Sequence, residues 1–345
     1  TGRGSLDDKP HVVAGLMTLI LLKRMNVALD RDVIFLAEAG EEGTTRIGID
    51  FMTTQHFDAI DAEYCVAEGG TSRRESGRMQ YVQVGTMEKA PRTIDLIARG
   101  PSSHGSVPTK GNAVARLAKA VSALADWQPP VRLNETTRTY FTRLVPLSPP
   151  EYATRFRQLL SGNQAQMEDS ARYLQEHAPN YAALLRPTVS PTVLQAGNRY
   201  NIIPSEAKAT LDVRLLPDDD PAALIAELTR VINDPTVEVT FAARDGLPRP
   251  LGASKLDTDA YRAIESAVAQ NYDTVTIPAM GAGASDNAQM RAKGVQCYGL
   301  SVATDAEDAG KGFGAHSDQE RVLESELYRF IRTTWDVVIN VARAR

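Results

Sequence analysis

The chain has 345 residues, a formal net charge of −5, and 43% hydrophobic against 23% charged residues. That length allows two domains with a core each, and an acidic balance with no basic run gives no electrostatic case for nucleic acid. The longest apolar run, residues 12–22, is too short to span a bilayer, and residues 3–9, of mixed charge with two Asp, do not read as a signal peptide.

In chain order, Gly2-Arg3-Gly4-Ser5-Leu6-Asp7-Asp8-Lys9-Pro10 reads as a loop feeding a helix. Asp7 or Asp8 serves as N-cap, and Pro10 falls in the first turn, where its missing N–H costs nothing. The helix runs to about residue 25, with Val13, Leu16, Met17 and Ile20 forming a broad apolar surface. Residues 33–37 are a nearly continuous apolar run, the pattern of a strand buried on both faces of a parallel sheet. It leads into Gly40-Glu41-Glu42-Gly43, a Gly-bounded loop with two adjacent carboxylates. Neighbouring side chains in loop backbone point different ways, so one carboxylate can hold a metal while the other faces a water as general base. Taken singly, such a pair is more often a solvated acidic turn. Residues 47–54 read as helix and 64–67 as a buried strand ending in Glu68. Open α/β sheets place their chemistry at that end of a strand. Cys65 and Cys297 each sit in an apolar, strand-like run and fix neither a disulfide nor a compartment.

The pattern changes near residue 90. Residues 92–98 alternate polar and apolar, as a half-exposed antiparallel strand does, and run into a loop of small residues around His104. Residues 112–127 are a periodic amphipathic helix; 128–190 are Pro-punctuated and mostly helical, at 151–160 and 166–177, an insertion to which no chemistry attaches. In the strand 207–216, Leu211, Val213 and Leu215 share one face, with Thr210, Asp212 and Arg214 on the other. A helix from Pro221 to about residue 232 and a strand at 237–241 complete an α+β sandwich with one open sheet face. Beyond about residue 250 the chain returns to helix (257–270), buried strand (274–280 and 296–302) and a last helix (323–342). The expected fold is therefore α/β: a discontinuous catalytic domain with a mostly parallel sheet, at 1–89 and 244–345, and an inserted α+β sandwich lid and dimerisation domain at 90–243.

Asp7, Glu42, Glu68 and His316 make an oxygen-rich loop set with one imidazole, suited to zinc, cobalt or manganese. Spacing alone is a weak signal for ligands scattered over 300 residues. Order and context sharpen it. Gly-Arg-Gly-x-x-Asp-Asp-Lys, Glu-Glu-Gly, a strand ending in Glu, a Gly-x-x-x-His loop, Asn-x-x-Pro, Asp-x-Arg and a late Ala-His together resemble the binuclear zinc exopeptidases and deacylases. That family includes glutamate carboxypeptidase, acetylornithine deacetylase, succinyl-diaminopimelate desuccinylase and aminoacylase; the first motif is most similar to the carboxypeptidase S branch. The resemblance covers nearly the whole chain outside 128–190.

The resemblance implies two divalent ions, first of all zinc, with Asp7 bridging, Glu42 and His316 on one ion and Glu68 on the other. It implies Glu41 as general base, His104 as a histidine reaching into the partner subunit's site, and Asn201 and Arg214 gripping substrate. Gly283, in the 281–283 loop, offers backbone groups. A guanidinium fork suits a substrate carboxylate, although Arg214 two residues from Asp212 also reads as a surface ion pair. His104 alone reads as solvent-exposed, and His11, His56 and His177 read as surface residues. The family's His-x-Asp metal motif would lie upstream of residue 1, so the chain reads as a fragment, a truncated gene product, or a chain made without its N-terminal segment. The implied function is hydrolysis of peptide or N-acyl amino acid amides beside a free carboxylate. The alternative is a non-catalytic binding or assembly protein keeping the fold. A homodimer through the inserted domain is expected, with strand 92–98 and helix 112–127 as candidate surfaces, and neither membrane nor nucleic acid as partner. The cytoplasm is the first expectation for compartment, periplasm or secretion the alternatives. No Gly-x-Ser-x-Gly elbow is present for a serine hydrolase, and 281–283 lacks dinucleotide-fingerprint spacing.

Overall fold

A computed structural model describes residues 1–243 and 248–344. The chain enters α1 (Lys9–Arg24), and an irregular stretch ending in a 3-10 turn at Thr45–Ile47 separates it from α2 (Ile49–Gln55) and β1 (Tyr64–Glu68). A hairpin of β2 (Ser72–Glu75) and β3 (Arg78–Glu88) leads to β4 (Ala90–Arg99), β5 (Ser103–His104) and α3 (Ala113–Ala125). Four helices follow: α4 (Glu135–Leu144), α5 (Pro150–Leu160), α6 (Gln164–His177) and α7 (Pro179–Ala182). Next come β6 (Thr188–Ala196), β7 (Ile202–Ile203), β8 (Glu206–Leu215), α8 (Pro221–Ile232) and β9 (Val237–Phe241). The final part is α9 (Asp259–Tyr272), β10 (Thr276–Gly281), α10 (Asn287–Ala292), β11 (Gln296–Leu300), β12 (Thr304–Asp305), α11 (Ala306–Gly310) and α12 (Glu324–Ala342).

One sheet joins the two ends of the chain, in the order β1-β11-β3-β2-β12, with β10 also on β3. It is mixed: β1 with β11, β10 with β3, and β12 with β2 are parallel, while β2 and β11 run antiparallel to β3. Tyr261, Ile264 and Val268 of α9 and Phe330 and Val337 of α12 bury against Val82, Val84, Tyr298 and Leu300, with Ala14 of α1 in the same core. Such burial contributes about 1.5–3 kcal/mol per large side chain. The helical insertion seats Phe141, Leu144, Phe156 and Leu174 in a second core that reaches Ile277 and Met280 of β10.

The second sheet has the order β6-β8-β4-β9, all antiparallel. The alternation read from sequence holds in β8, where Leu211, Val213 and Leu215 are buried beneath α3 and α8. In α3, Ala113, Leu117, Ala120 and Leu124 form the stripe that meets them, and the Asn112 side chain caps the helix by accepting from Val114 and Ala115 N–H. The chain thus combines a discontinuous α/β part with an inserted α+β part. The expected boundary at 243/244 adjoins residues 244–247, which lie outside the described residues.

Three expectations are corrected. Residues 33–37 form no strand: they pair with no neighbour among the described residues, and Ile34 and Leu36 are 49% and 38% exposed. An apolar run becomes a buried strand only when strands flank it, and among the described residues none does. Strand 92–98, offered as a dimer edge, lies inside β4, which is hydrogen-bonded on both sides; the free edges belong to β6 and β9. His11 is not a surface residue, since its ring packs edge-on to Phe330 at 4.7 Å and its Nδ1 meets Asp8.

Candidate metal centre

The helix entry at α1, the 40–43 loop, the end of β1 and the loop before α12 carry the carboxylates and imidazole picked out in the sequence. Pro10 at the start of α1 presets the helical turn, and Asp8 occupies the N-cap position, which leaves Asp7 in the preceding loop. Asp7 Oδ2 and Glu42 Oε1 lie 3.0 and 3.2 Å from His316 Nε2, and one ligand atom from each of the three residues lies within 4.8 Å of the others. His316 has φ +65°, a left-handed conformation that a residue with a Cβ adopts only when its surroundings hold it. Glu42 first, then Asp7, stabilise the imidazolium and raise its pKa. A cation in this set would displace that proton, because only neutral imidazole ligates.

Glu68 ends β1 on the same side. Burial, followed by the charges of Glu41, Asp7 and Asp8, pushes its carboxyl up to about 9, with a hydrogen bond to Asp7 adding to the rise. A carboxyl held protonated at neutral pH by burial and its neighbours' negative charge marks a place where positive charge is in demand. Two oxygen donors and an imidazole within reach of one another fit a divalent metal ion.

Glu41 turns away from Glu42 into a different environment. Its Oε1 accepts from Arg249 Nη2 at 3.1 Å, while Arg249 Nη1 donates to Asp286 Oδ1 at 3.2 Å. Burial raises the Glu41 pKa, and Arg249 pulls against that rise. Glu38 joins through Asp286: burial, the Asp286 charge and a hydrogen bond to Asp286 push it up to about 7. Sequence reasoning missed Arg249, Asp286 and Glu38 as a group. The usable signal was Pro248-Arg249-Pro250, where two prolines restrict the backbone around a cation, and Asp286 at the end of the Gly-rich loop.

The remaining candidates lie on the second sheet or its loops. His104 is on β5, paired with Ile202 of β7; its Nδ1 accepts from the Ser106 amide at 3.2 Å and lies 2.7 Å from that hydroxyl. The Asn201 carbonyl accepts from Gly105 N–H at 2.7 Å, so His104 and Asn201 are neighbours. No hydrogen bond or ion pair joins either to the carboxylate cluster among the described residues. Arg214, on the open face of β8, spends its fork on Asp212, at 2.7 and 2.9 Å. Gly283 sits in the β10–α10 loop with open space where a Cβ would stand, and the amide and hydroxyl of Ser285 in that loop donate to the Glu88 carboxylate. Cys65 and Cys297 are free thiols facing each other across β1 and β11.

Residues 88–240 match the family model described as the peptidase dimerisation domain. A probable carboxypeptidase S-like 2 of Dictyostelium discoideum is 28% identical over 289 residues, 80% of this chain and 53% of that protein. The human N-fatty-acyl-amino acid synthase/hydrolase PM20D1 is 26% identical over 283 residues, 81% of this chain and 55% of that protein. The chain spans about half the length of the curated relatives it matches. The crystal structure of the M20 family metallo-carboxypeptidase Sso-CP2 from Sulfolobus solfataricus superimposes with a TM-score of 0.65 at 19% identity, over 97% of this chain and 76% of that one. At that identity the likeness establishes the fold. No helix among the described residues is long and apolar enough to cross a membrane.

Proposed function

We propose that this chain, which carries a peptidase dimerisation domain and the fold of an M20 metallo-carboxypeptidase, is a member of the M20 metallopeptidase and deacylase family and a metal-dependent hydrolase of amide bonds in small substrates bearing a free carboxylate. The observation that carries the reading is the meeting of Asp7, Glu42 and His316 with the general-base candidate Glu41 next in sequence to Glu42. Asp7, Glu42 and His316 would hold one divalent ion, zinc before cobalt or manganese, and Glu68, at the end of β1, would serve a second. A bound ion of this kind supplies Lewis-acid polarisation of an amide carbonyl and lowers the pKa of a water. Glu41 takes the proton of the attacking water and returns it to the leaving nitrogen. Its raised pKa supports that task, since a base nearer neutrality gives a proton back more readily. Arg249 keeps the carboxylate ionised and oriented.

The substrate class follows from relatives named as a carboxypeptidase and an N-fatty-acyl-amino acid synthase/hydrolase: an amide one carbon from a carboxylate. Arg214 is the clamp for that carboxylate, exchanging Asp212 for substrate, with Asn201 and the Gly283 backbone beside it. Residues 1–89 and 244–345 form the catalytic part and 90–243 the lid, which dimerises and presents His104 to the partner's site. The free edge of β6, with Val193 and Leu194 exposed at 44% and 58%, is the surface suited to an isologous contact.

Metal content tests the reading. After equilibration with zinc and dialysis, elemental analysis should find at least one equivalent per chain, lost on Asp7→Ala. Absence of stoichiometric metal would leave the non-catalytic alternative.

A further inference from the structure

Residue 320 is a glutamate with 0% exposure, and five hydrogen bonds tie it to residues 2–7. Its Oε1 accepts from Leu6 and Asp7 N–H at 2.7 and 2.8 Å, and Oε2 from Gly4 N–H at 3.1 Å. Its main-chain carbonyl accepts from Gly2 N–H at 2.8 Å and the Ser5 hydroxyl at 2.9 Å. Gly4 has φ +76° and Gly2 φ +138°, backbone states that L side chains rarely adopt. With these turns the N–H groups of Gly4, Leu6 and Asp7 point to one side and form a concavity for an anion, while Ser5 N–H closes on the Gly2 carbonyl. The anion in this concavity belongs to the chain itself. Burial alone would raise the Glu320 pKa; the hydrogen bonds from Asp7, Leu6 and Gly4 outweigh it and hold the carboxyl below the usual range.

We propose that Glu320 is the positioning residue of the metal centre: its buried carboxylate, seated in the backbone nest of residues 4–7, fixes Asp7 against His316. Asp7 lies 309 positions from His316, on a loop ahead of its helix, and the packing of α1 on α12 sets only the approximate separation of the two ends. Glu320 is four residues past His316 and bonds to the amide of Asp7 itself, so one side chain sets the position of one ligand relative to the turn that carries the other. The Asp7 carboxylate must be held to within about half an ångström for a site of this kind to bind tightly. The loop's own backbone bonds, Ser5 N–H to Gly2 and Lys9 N–H to Gly4, leave three N–H groups, that of Asp7 among them, with the Glu320 carboxylate as their acceptor.

This inference rests on the metal-site reading above, and the test separates the two. Cobalt(II) is titrated into the metal-free wild type and the variants Glu320→Gln, Glu320→Asp and Ser5→Ala, following affinity by calorimetry and ligand geometry by the visible absorption of the bound ion. Gln has the shape of Glu but offers one acceptor oxygen, so it sets an amide NH₂ against at least one backbone N–H. The expected result is a 10–100-fold loss of cobalt affinity in Glu320→Gln with an altered spectrum, the range typical of residues that orient metal ligands. Glu320→Asp, which keeps the charge on a shorter arm, should lie between Gln and wild type. Ser5→Ala, which removes only the bond to the main-chain carbonyl, should bind cobalt as wild type does. Should the Gln variant fail to fold, the Asp variant carries the test. Variants that fold and bind cobalt within twofold of wild type with an unchanged spectrum would overturn the positioning role. A wild type that binds no cobalt would overturn the metal-site reading itself and this inference with it.

Discussion

Replacing Lys89 by Met should abolish one component of the pH dependence of stability. Lys89 stands between β3 and β4, at the passage from one sheet to the other, and is 1% exposed. Its Nζ donates to the carbonyls of Ala183 and Arg186 at 2.9 Å each and meets Thr188 Oγ1 at 3.1 Å, tying the crossover to the exit of the helical insertion. Burial lowers its pKa from 10.5 to about 7; of the charged groups around it, Asp219 and Asp212 oppose the shift and Arg214 adds to it. The neutral amine still fits, giving two hydrogen bonds to the carbonyls and accepting one from the Thr188 hydroxyl. Because the folded pKa is depressed, the unfolded chain binds the additional proton between pH 7 and 10.5, so stability rises with pH across that window. At about 1.4 kcal/mol per pH unit, the rise from pH 7 to 9.5 comes to about 3 kcal/mol. Wild type and Lys89→Met would be unfolded with urea at half-unit steps from pH 6.5 to 9.5. The difference in unfolding free energy should shift by that amount in favour of wild type as pH rises, superimposed on a constant loss of about 1–3 kcal/mol for each acceptor left unpaired. Parallel pH curves would refute the reasoning and show Lys89 carrying its proton at an ordinary pKa.

Three further outcomes are expected. Gly40→Ala places a Cβ 2.4 Å from the Thr44 carbonyl at φ +91°, so the loop carrying Glu41 and Glu42 must shift; the variant should lose about 1–3 kcal/mol of stability and bind zinc more weakly, both read by thermal unfolding with and without the ion. Arg249→Ala strips the guanidinium from Glu41 and Asp286, whose side chains are 28% and 12% exposed; breaking so enclosed a network should cost up to about 3–5 kcal/mol, and a change below about 0.5 kcal/mol by urea midpoint would mean that the pair is solvated. If His104 acts across a subunit boundary, mixing inactive His104→Ala and Glu41→Ala proteins after reversible dissociation should restore up to about a quarter of wild-type activity, from random two-fold pairing; no recovery despite subunit exchange would remove His104 from the partner's site.

Elements with a strong local period were legible from sequence. The two faces of β8, the Leu117–Leu124 stripe of α3 and the long final helix carry their burial pattern in the order of their residues. Glu68 at the end of β1 and the convergence of Asp7, Glu42 and His316 were also legible, because motif order supplied what spacing could not. Elements whose identity depends on neighbours were not. Residues 33–37 are as apolar as a central strand, yet nothing pairs with them among the described residues. The β2–β3 hairpin escaped notice because its outer half is polar and its turn rests on Ser76 and Gly77, both at positive φ. β6 was hidden by Pro191, which an edge strand with a register shift tolerates. Arg249, Asp286 and Glu38 meet only through tertiary folding; the prolines flanking Arg249 mark a restricted cation but not the carboxylates it pairs with. Arg214 went the other way: the ion pair with Asp212, two residues off on one strand face, was visible in the sequence and is present.

The most direct measurement is amide hydrolysis itself. The zinc-equilibrated chain would be offered a panel of N-acyl amino acids and dipeptides, with release of free amine followed for wild type and for Glu41→Gln. Wild type should turn over at least one substrate class, with the rate abolished by chelation. Glu41→Gln, which keeps the shape of the side chain but cannot accept the proton, should bind the same substrate with the rate constant lowered about 10²–10⁴-fold. A wild-type protein with stoichiometric zinc and no turnover on any amide, or a Gln variant within about tenfold of wild type, would contradict hydrolysis with Glu41 as its base.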